Sequence, residues 1–149
     1  PYVDPEKIGI FGWSYGGYMA LMARFKNPEL IRAAVAVAPV TQWELYDTFY
    51  TERYLDQPQD NPEGYLASSV FPYIEQQTNP LLVIHGMADD NVLFLNSTKL
   101  FKTLQDKVIP FEMMTYPGGK HGIRGKETRK HLFNTVLNFL DRNLKGNIP

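Results

Sequence analysis

The apolar positions of the chain fall into short runs of two kinds. Ile8-Gly9-Ile10-Phe11, Ala33-Ala34-Val35-Ala36-Val37-Ala38 and Leu81-Leu82-Val83-Ile84-His85 are nearly continuous. Continuous rather than alternating runs of this length mark strands covered on both faces, as in a parallel sheet. Each is followed by a breaker: Gly12, Pro39 and Gly86. Elsewhere the apolar residues return mostly at helical spacing: Met19, Leu21, Met22 and Phe25 within residues 15–26, and Leu95, Leu100, Phe101 and Leu104 within 94–106. Residues 126–145 carry Leu132, Phe133, Val136, Leu137, Phe139 and Leu140, a wide apolar stripe over about five helical turns. Asn27-Pro28 stops the first helix and Gly146 follows the last. Residues 111–116 add a fourth strand, ended by Pro117-Gly118-Gly119.

Strands alternating with helices predict βαβ units with right-handed crossovers. The expected class is α/β, a mainly parallel sheet of about four strands flanked by helices, with functional groups gathered beyond the strand carboxyl ends. Residues 41–75 break the rhythm. They are rich in Trp and Tyr and interrupted by Pro58, Pro62 and Pro72, so short helices and loops are expected there rather than sheet.

Composition narrows the function classes. With 149 residues, 44% hydrophobic and 21% charged, the chain is long enough for one buried core and no more. Fifteen basic side chains against sixteen acidic ones give a net charge of -1, which argues against nucleic acid or an anionic membrane surface as partner. The absence of cysteine removes disulfides, thiolate metal sites and a thiol nucleophile, and leaves the compartment open. No apolar run approaches the roughly 20 residues of a membrane-spanning helix, and no signal-peptide pattern opens the chain. The first residue is not Met, which suggests an excerpt or a processed chain.

Against this background one motif carries chemistry. Gly12-Trp13-Ser14-Tyr15-Gly16 matches Gly-x-Ser-x-Gly, between an expected strand and an expected helix, which is the context of a nucleophile elbow. A sharp turn holds such a serine in a crowded backbone conformation, and the glycines on either side are expected to leave room for the chain to fold back. The same turn puts the Tyr15 backbone N–H at a helix N-terminus, where it can stabilise an oxyanion. A serine hydroxyl needs a base, and the base needs a carboxylate, in the chain order serine, acid, histidine. Of three histidines, His131 lies within the last helix and reads as an ordinary surface residue. His85 ends the third strand, upstream of the candidate acids, and reads as structural support. His121, in a mobile-looking loop after the fourth strand, fits the base. The acid is expected from Ala88-Asp89-Asp90-Asn91, where composition does not choose between Asp89 and Asp90. No His, Asp or Glu residues show metal-ligand spacing, so neither metal nor cofactor is expected.

The motifs taken together resemble the prolyl oligopeptidase family of serine peptidases, and within it the dipeptidyl peptidase IV group. They are Gly12 to Tyr18, Ala38-Pro39-Val40-Thr41-Gln42-Trp43-Glu44, Tyr50-Thr51-Glu52-Arg53-Tyr54, Ile84 to Val92 and His121-Gly122-Ile123, and the similarity runs along essentially the whole chain. The resemblance implies Ser14 as nucleophile, Asp89 as acid and His121 as base, with Tyr15 at the oxyanion. It implies a small apolar pocket lined by Val40, Trp43, Tyr46, Tyr50 and Val92, suited to proline or alanine, and Asn91 on the substrate backbone. Gly118-Gly119-Lys120 departs from the more acidic stretch the family carries there, and Leu45 stands where an aromatic is common.

By the same resemblance, residues 1–149 correspond to the C-terminal part of an α/β-hydrolase domain. The rest of that sheet, a β-propeller that grips the substrate amino terminus, and a further oxyanion tyrosine would lie upstream. The implied activity is release of N-terminal dipeptides after proline or alanine through an acyl-enzyme. A histidine base, ordinarily titrating near about pH 6.5, implies activity rising from mildly acid to neutral pH. An acylaminoacyl peptidase or carboxylesterase, or an inert fragment, are the alternatives. The expected partners are a peptide substrate, the upstream portion of the parent, and a second copy of the chain, because the first strand would present an unpaired apolar edge.

Overall fold

All four strands run the same way, and each steps one place further across the sheet. In the computed structural model, which describes residues 2–74 and 79–145, they are β1 (Gly9–Trp13), β2 (Ala33–Val37), β3 (Leu81–Gly86) and β4 (Glu112–Tyr116), ordered β1-β2-β3-β4. Helix α1 (Tyr15–Lys26) connects β1 to β2, α4 (Leu95–Asp106) connects β3 to β4, and α5 (Lys126–Leu140) follows β4. Between β2 and β3 lie α2 (Thr48–Leu55) and α3 (Pro62–Ser68), with single 3-10 turns at Trp43–Leu45 and Phe71–Tyr73. Asp47 caps α2 by accepting from the Tyr50 N–H, and Asn61 caps α3 by accepting from the Gly64 N–H. These local caps explain short helices in a stretch whose composition reads as irregular.

Sheet register sets the site. Trp13 pairs with Val37, Val37 with Ile84, and Gly86 with Tyr116, so the carboxyl ends of the strands finish along one rim. Every residue of β2 and β3 is buried, as their continuous apolar runs predict. Their side chains divide by parity: Ala34, Ala36, Leu81 and Val83 pack with Leu21, Phe25, Leu100 and Leu104. On the other face Ala33, Val35, Val37, Leu82 and Ile84 pack with Leu132, Val136 and Phe139 of α5. Burying a side chain of this size contributes roughly 1.5–3 kcal/mol, so two such clusters fix the sheet between its helices. Among the described residues, no helix is long and apolar enough to cross a membrane.

The structure departs from the sequence pattern at the end of β1, at the end of the last helix and in the exposure of β4. Strand β1 does not stop at Gly12: Gly12 pairs with Ala36 and Trp13 with Val37, and the break falls at Ser14. The last α-helix ends at Leu140, and residues Asp141–Lys145 form a wider π turn instead of continuing it. In that turn the Asn143 amide donates to the Phe139 carbonyl at 2.8 Å, and Arg142 reaches Glu112 of β4 at 2.7 Å. The expected stop at Gly146 lies outside the described residues. Strand β4 is exposed at Glu112 and Met113 and buried only at Tyr116, a sheet edge rather than a strand covered throughout.

Candidate active site

The corner after β1 is made in a single residue. Ser14 adopts φ 60°, ψ -120°, a conformation that costs a side-chain-bearing residue about 1–3 kcal/mol and persists only when its surroundings impose it. Here they do: the Ser14 N–H donates to the Val37 carbonyl at 2.8 Å, and the Ser14 carbonyl accepts from the Tyr18 N–H at 3.0 Å. A Cβ on Gly12 would lie 1.9 Å from the Gly16 oxygen, and one on Gly17 would lie 2.8 Å from the Val37 oxygen. A Cβ on Gly16 would meet nothing within 4 Å, so within the described residues the positions that cannot take a side chain are Gly12 and Gly17, not both motif glycines. The backbone N–H of Tyr15 opens α1 and has no carbonyl one turn earlier to bond.

Two other strand ends deliver the groups that face Ser14. His121 Nε2 lies 2.9 Å from Ser14 Oγ, and His121 Nδ1 lies 2.8 Å from Asp89 Oδ2. The carboxylate only accepts, so Nδ1 carries the proton and Nε2 is left to accept from the serine hydroxyl. The second carboxylate oxygen, Oδ1, accepts the N–H groups of Asn91 and Val92, each at 3.0 Å. The Asp89 side chain has no exposed surface, whereas the His121 side chain is 23% exposed. An alcohol, an imidazole and a buried carboxylate in this order can move a proton from oxygen to nitrogen and hold the resulting imidazolium.

Asp90, the other candidate acid, turns outward and pairs with Lys120. The hydrogen bond from Lys120 holds its carboxyl below the usual range. His131 is exposed and its Nδ1 is hydrogen-bonded to the Tyr116 hydroxyl at 2.9 Å, remote from this arrangement in role. His85 is wholly buried directly behind Asp89, its Nε2 3.2 Å from Asp89 Oδ2.

The loop that carries His121 is tied down rather than free to swing. The Trp13 indole N–H donates to the His121 carbonyl at 3.0 Å, and the Arg129 guanidinium donates to the Gly122 carbonyl at 3.1 Å. Ile123 is buried in the core at φ 40°, and the Ala88 N–H donates to the Gly119 carbonyl at 3.0 Å. No local pattern announces the Trp13 contact, which joins positions 108 residues apart.

Beside Ser14 the aromatic segment folds into one cluster. Trp43 stacks on Tyr50 with centroids 5.8 Å apart and meets Tyr46 edge-on at 6.0 Å and Tyr15 at 5.8 Å. Val40 and Val92 are buried with Trp43 in the hydrophobic core, where Tyr46 packs against them, and do not line the cavity beside Tyr50. The Tyr46 hydroxyl donates to Asn91 Oδ1 at 3.0 Å, and burial pushes its phenol above the ordinary range, so it remains a neutral donor. The loop after β2 is fixed to α4 where the Thr41 N–H donates to the Asn96 side chain at 2.8 Å. A cavity of about 450 Å³ opens between Tyr15, Tyr18, Trp43, Tyr50 and Tyr54.

Known proteins share this sequence and shape. The model of the prolyl oligopeptidase family matches residues 1–147. Human dipeptidyl peptidase 8 is 40% identical over 150 residues, which cover 99% of this chain and 17% of that protein. Bovine dipeptidyl peptidase 4 is 40% identical over 142 residues, 93% of this chain and 19% of the relative. The crystal structure of Porphyromonas gingivalis dipeptidyl peptidase 4 superimposes with a TM-score of 0.93 at 43% identity, over 97% of this chain and 20% of that one. The chain thus spans about a fifth of the length of these relatives, and the sheet with its flanking helices is the corresponding part of their α/β-hydrolase fold. At this identity, over nearly its full length, the chain belongs to the prolyl oligopeptidase family.

Proposed function

We propose that the chain is the C-terminal catalytic part of a serine exopeptidase that releases N-terminal dipeptides after proline or alanine. The observation that carries this reading is the continuous contact Ser14–His121–Asp89 at 2.9 and 2.8 Å, on an elbow already strained into place. The likeness to dipeptidyl peptidases 4 and 8 supports the leaving group over an ester or an acylated residue.

Ser14 Oγ attacks the carbonyl carbon of the second substrate residue while His121 Nε2 takes its proton. The carbonyl oxygen becomes an oxyanion at the Tyr15 N–H, and Asp89 holds the imidazolium in register. Collapse breaks the C–N bond, and the His121 proton goes to the departing amine. Water then attacks the acyl-enzyme, giving its proton to His121, which returns it to Ser14 as the dipeptide leaves. Val40, Trp43, Tyr46, Tyr50 and Val92 receive the side chain before the scissile bond. Asn91, already positioned by Tyr46, faces the substrate backbone.

The side of β1 left without a partner among the described residues and the small share of the relatives' length support a parent in which upstream residues complete the sheet, grip the substrate amino terminus and add an oxyanion donor. The partners proposed are therefore a peptide substrate, that upstream portion and a second copy of the chain. A fluorophosphonate probe and Gly-Pro-4-nitroanilide test the reading on the full-length parent. Labelling at Ser14 with nitroaniline release is expected; absence of both overturns the proposal.

A further inference from the structure

The Asp89 carboxylate is held by two imidazoles, and only one of them faces Ser14. His85 Nε2 lies 2.9 Å from the Val92 carbonyl oxygen and 3.2 Å from Asp89 Oδ2, while its Nδ1 lies 2.7 Å from Ser97 Oγ. A carbonyl only accepts, so Nε2 must carry the hydrogen. In the neutral ring Nδ1 then accepts, and the Ser97 hydroxyl donates to it. Burial lowers the His85 pKa, its largest influence, which keeps the ring neutral in this single tautomer. The ring also meets Phe94 edge-on at 5.5 Å, which limits its rotation. Oδ2 thereby takes the longer branch of the His85 N–H, shared with the Val92 carbonyl, from behind and the His121 N–H in front, and Oδ1 receives two backbone N–H groups.

We infer that His85 is a positioning residue: locked between Ser97 and Val92, it donates to Asp89 Oδ2 and fixes the carboxylate at the place where His121 Nδ1–H meets it. This rests on the hydrolase reading above and deepens it. A histidine next to the last residue of β3, at register with Thr115, puts a rigid ring under the carboxylate, which a flexible side chain at that position does not provide. The hydrogen bonds of His85 go to Ser97, Val92 and Asp89, and its route to Ser14 runs through Asp89.

The test uses the full-length parent with His85→Gln, which keeps an N–H donor near Nε2, His85→Met, which keeps similar length without a donor, and Ser97→Ala. Loss of one such hydrogen bond predicts about a tenfold fall in kcat for His85→Met with KM unchanged. Fluorophosphonate labelling of Ser14 should slow by the same factor, and His85→Gln should recover most of both rates. Ser97→Ala, which frees the ring without removing it, should lower kcat less, with a modest fall in melting temperature from the buried Nδ1 left without its donor. Unchanged kcat in His85→Met, or equal losses in the Gln and Met variants that follow melting temperature, overturns the positioning role. If His85→Met does not fold, unchanged kcat in Ser97→Ala overturns it. An unmodified parent that is not labelled at Ser14 overturns the hydrolase reading and this inference together. A labelled parent with indifferent variants overturns this inference alone.

Discussion

Gly86 and Gly119 touch backbone to backbone: a Cβ on Gly86 would lie 2.2 Å from the Gly119 oxygen. The contact closes the gap between the β3 end that carries Asp89 and the loop that carries His121. Gly86→Ala must separate the two, because the obstructing atoms belong to the main chain and cannot rotate away. Misplacement of a catalytic group by about 1 Å can cost about 100-fold in rate. We therefore expect kcat/KM of the full-length parent to fall by about that factor, with a smaller loss of melting temperature. Unaltered kinetics would show that the loop pair has slack.

The adjacent carboxylates should separate cleanly by mutation. Asp89 sits against two imidazoles and two backbone N–H groups, whereas Asp90 lies in solvent beside Lys120. Asp89→Asn offers His121 an amide that can hold the wrong tautomer, a change that lowers kcat by about 10⁴ in a serine protease triad. Asp90→Asn removes only an exposed ion pair, a type of contact worth little. Steady-state kinetics on a Gly-Pro substrate distinguish the two. A larger loss in Asp90→Asn would reverse the proposed assignment.

What was legible in the sequence was what short stretches encode. Continuous apolar runs gave β2 and β3 because a doubly covered strand has no polar face to show, and Gly12 to Gly17 gave the elbow because its strand and helix flank it directly. The choice between Asp89 and Asp90 was not legible from composition: it depends on which way each side chain leaves the β3 rim, and Lys120, which draws Asp90 outward, is 30 residues away. The resemblance to the family pointed to Asp89, and Asp89 is the residue against His121. Sequence spacing singled out Gly16, yet the tight approach is at Gly17, because crowding comes from Val37 on another strand. The loop at His121 looked mobile from its glycines. Its anchors, Trp13 and Arg129, are donated by other elements and leave no local trace.

The buried His85 also predicts how stability responds to acid. Its pKa in the folded chain lies below the ordinary 6.5, chiefly through desolvation. Well above about pH 6.5 the ring is neutral in both folded and unfolded chains and contributes no pH dependence. As pH falls below that value the unfolded chain takes up a proton that the folded chain refuses, so stability decreases until the folded pKa is reached. One proton corresponds to at most about 1.4 kcal/mol per pH unit. Urea midpoints of the full-length parent should fall between pH 6.5 and the lower value, and His85→Gln should flatten that part of the slope. An identical slope in the variant would assign the acid sensitivity to other groups.

The exposed side of β1 predicts how the chain behaves alone. Strand β1 pairs only with β2 among the described residues, and Phe11 on it is 42% exposed beside Phe133, with ring centroids 6.4 Å apart. Leu137, one turn along α5 from Phe133, is 57% exposed. Unpaired strand N–H and carbonyl groups beside exposed apolar side chains form a template for another strand, whether from upstream residues or from a second copy. The isolated 149-residue chain is therefore expected to sediment as a dimer or larger species at micromolar concentration. Phe11→Lys, which puts a charge on the edge, should shift it toward monomer, since charged side chains are how natural edges resist pairing. A stable monomer of the unmodified chain, with a cooperative melting transition, would mean that β1 needs no further neighbour.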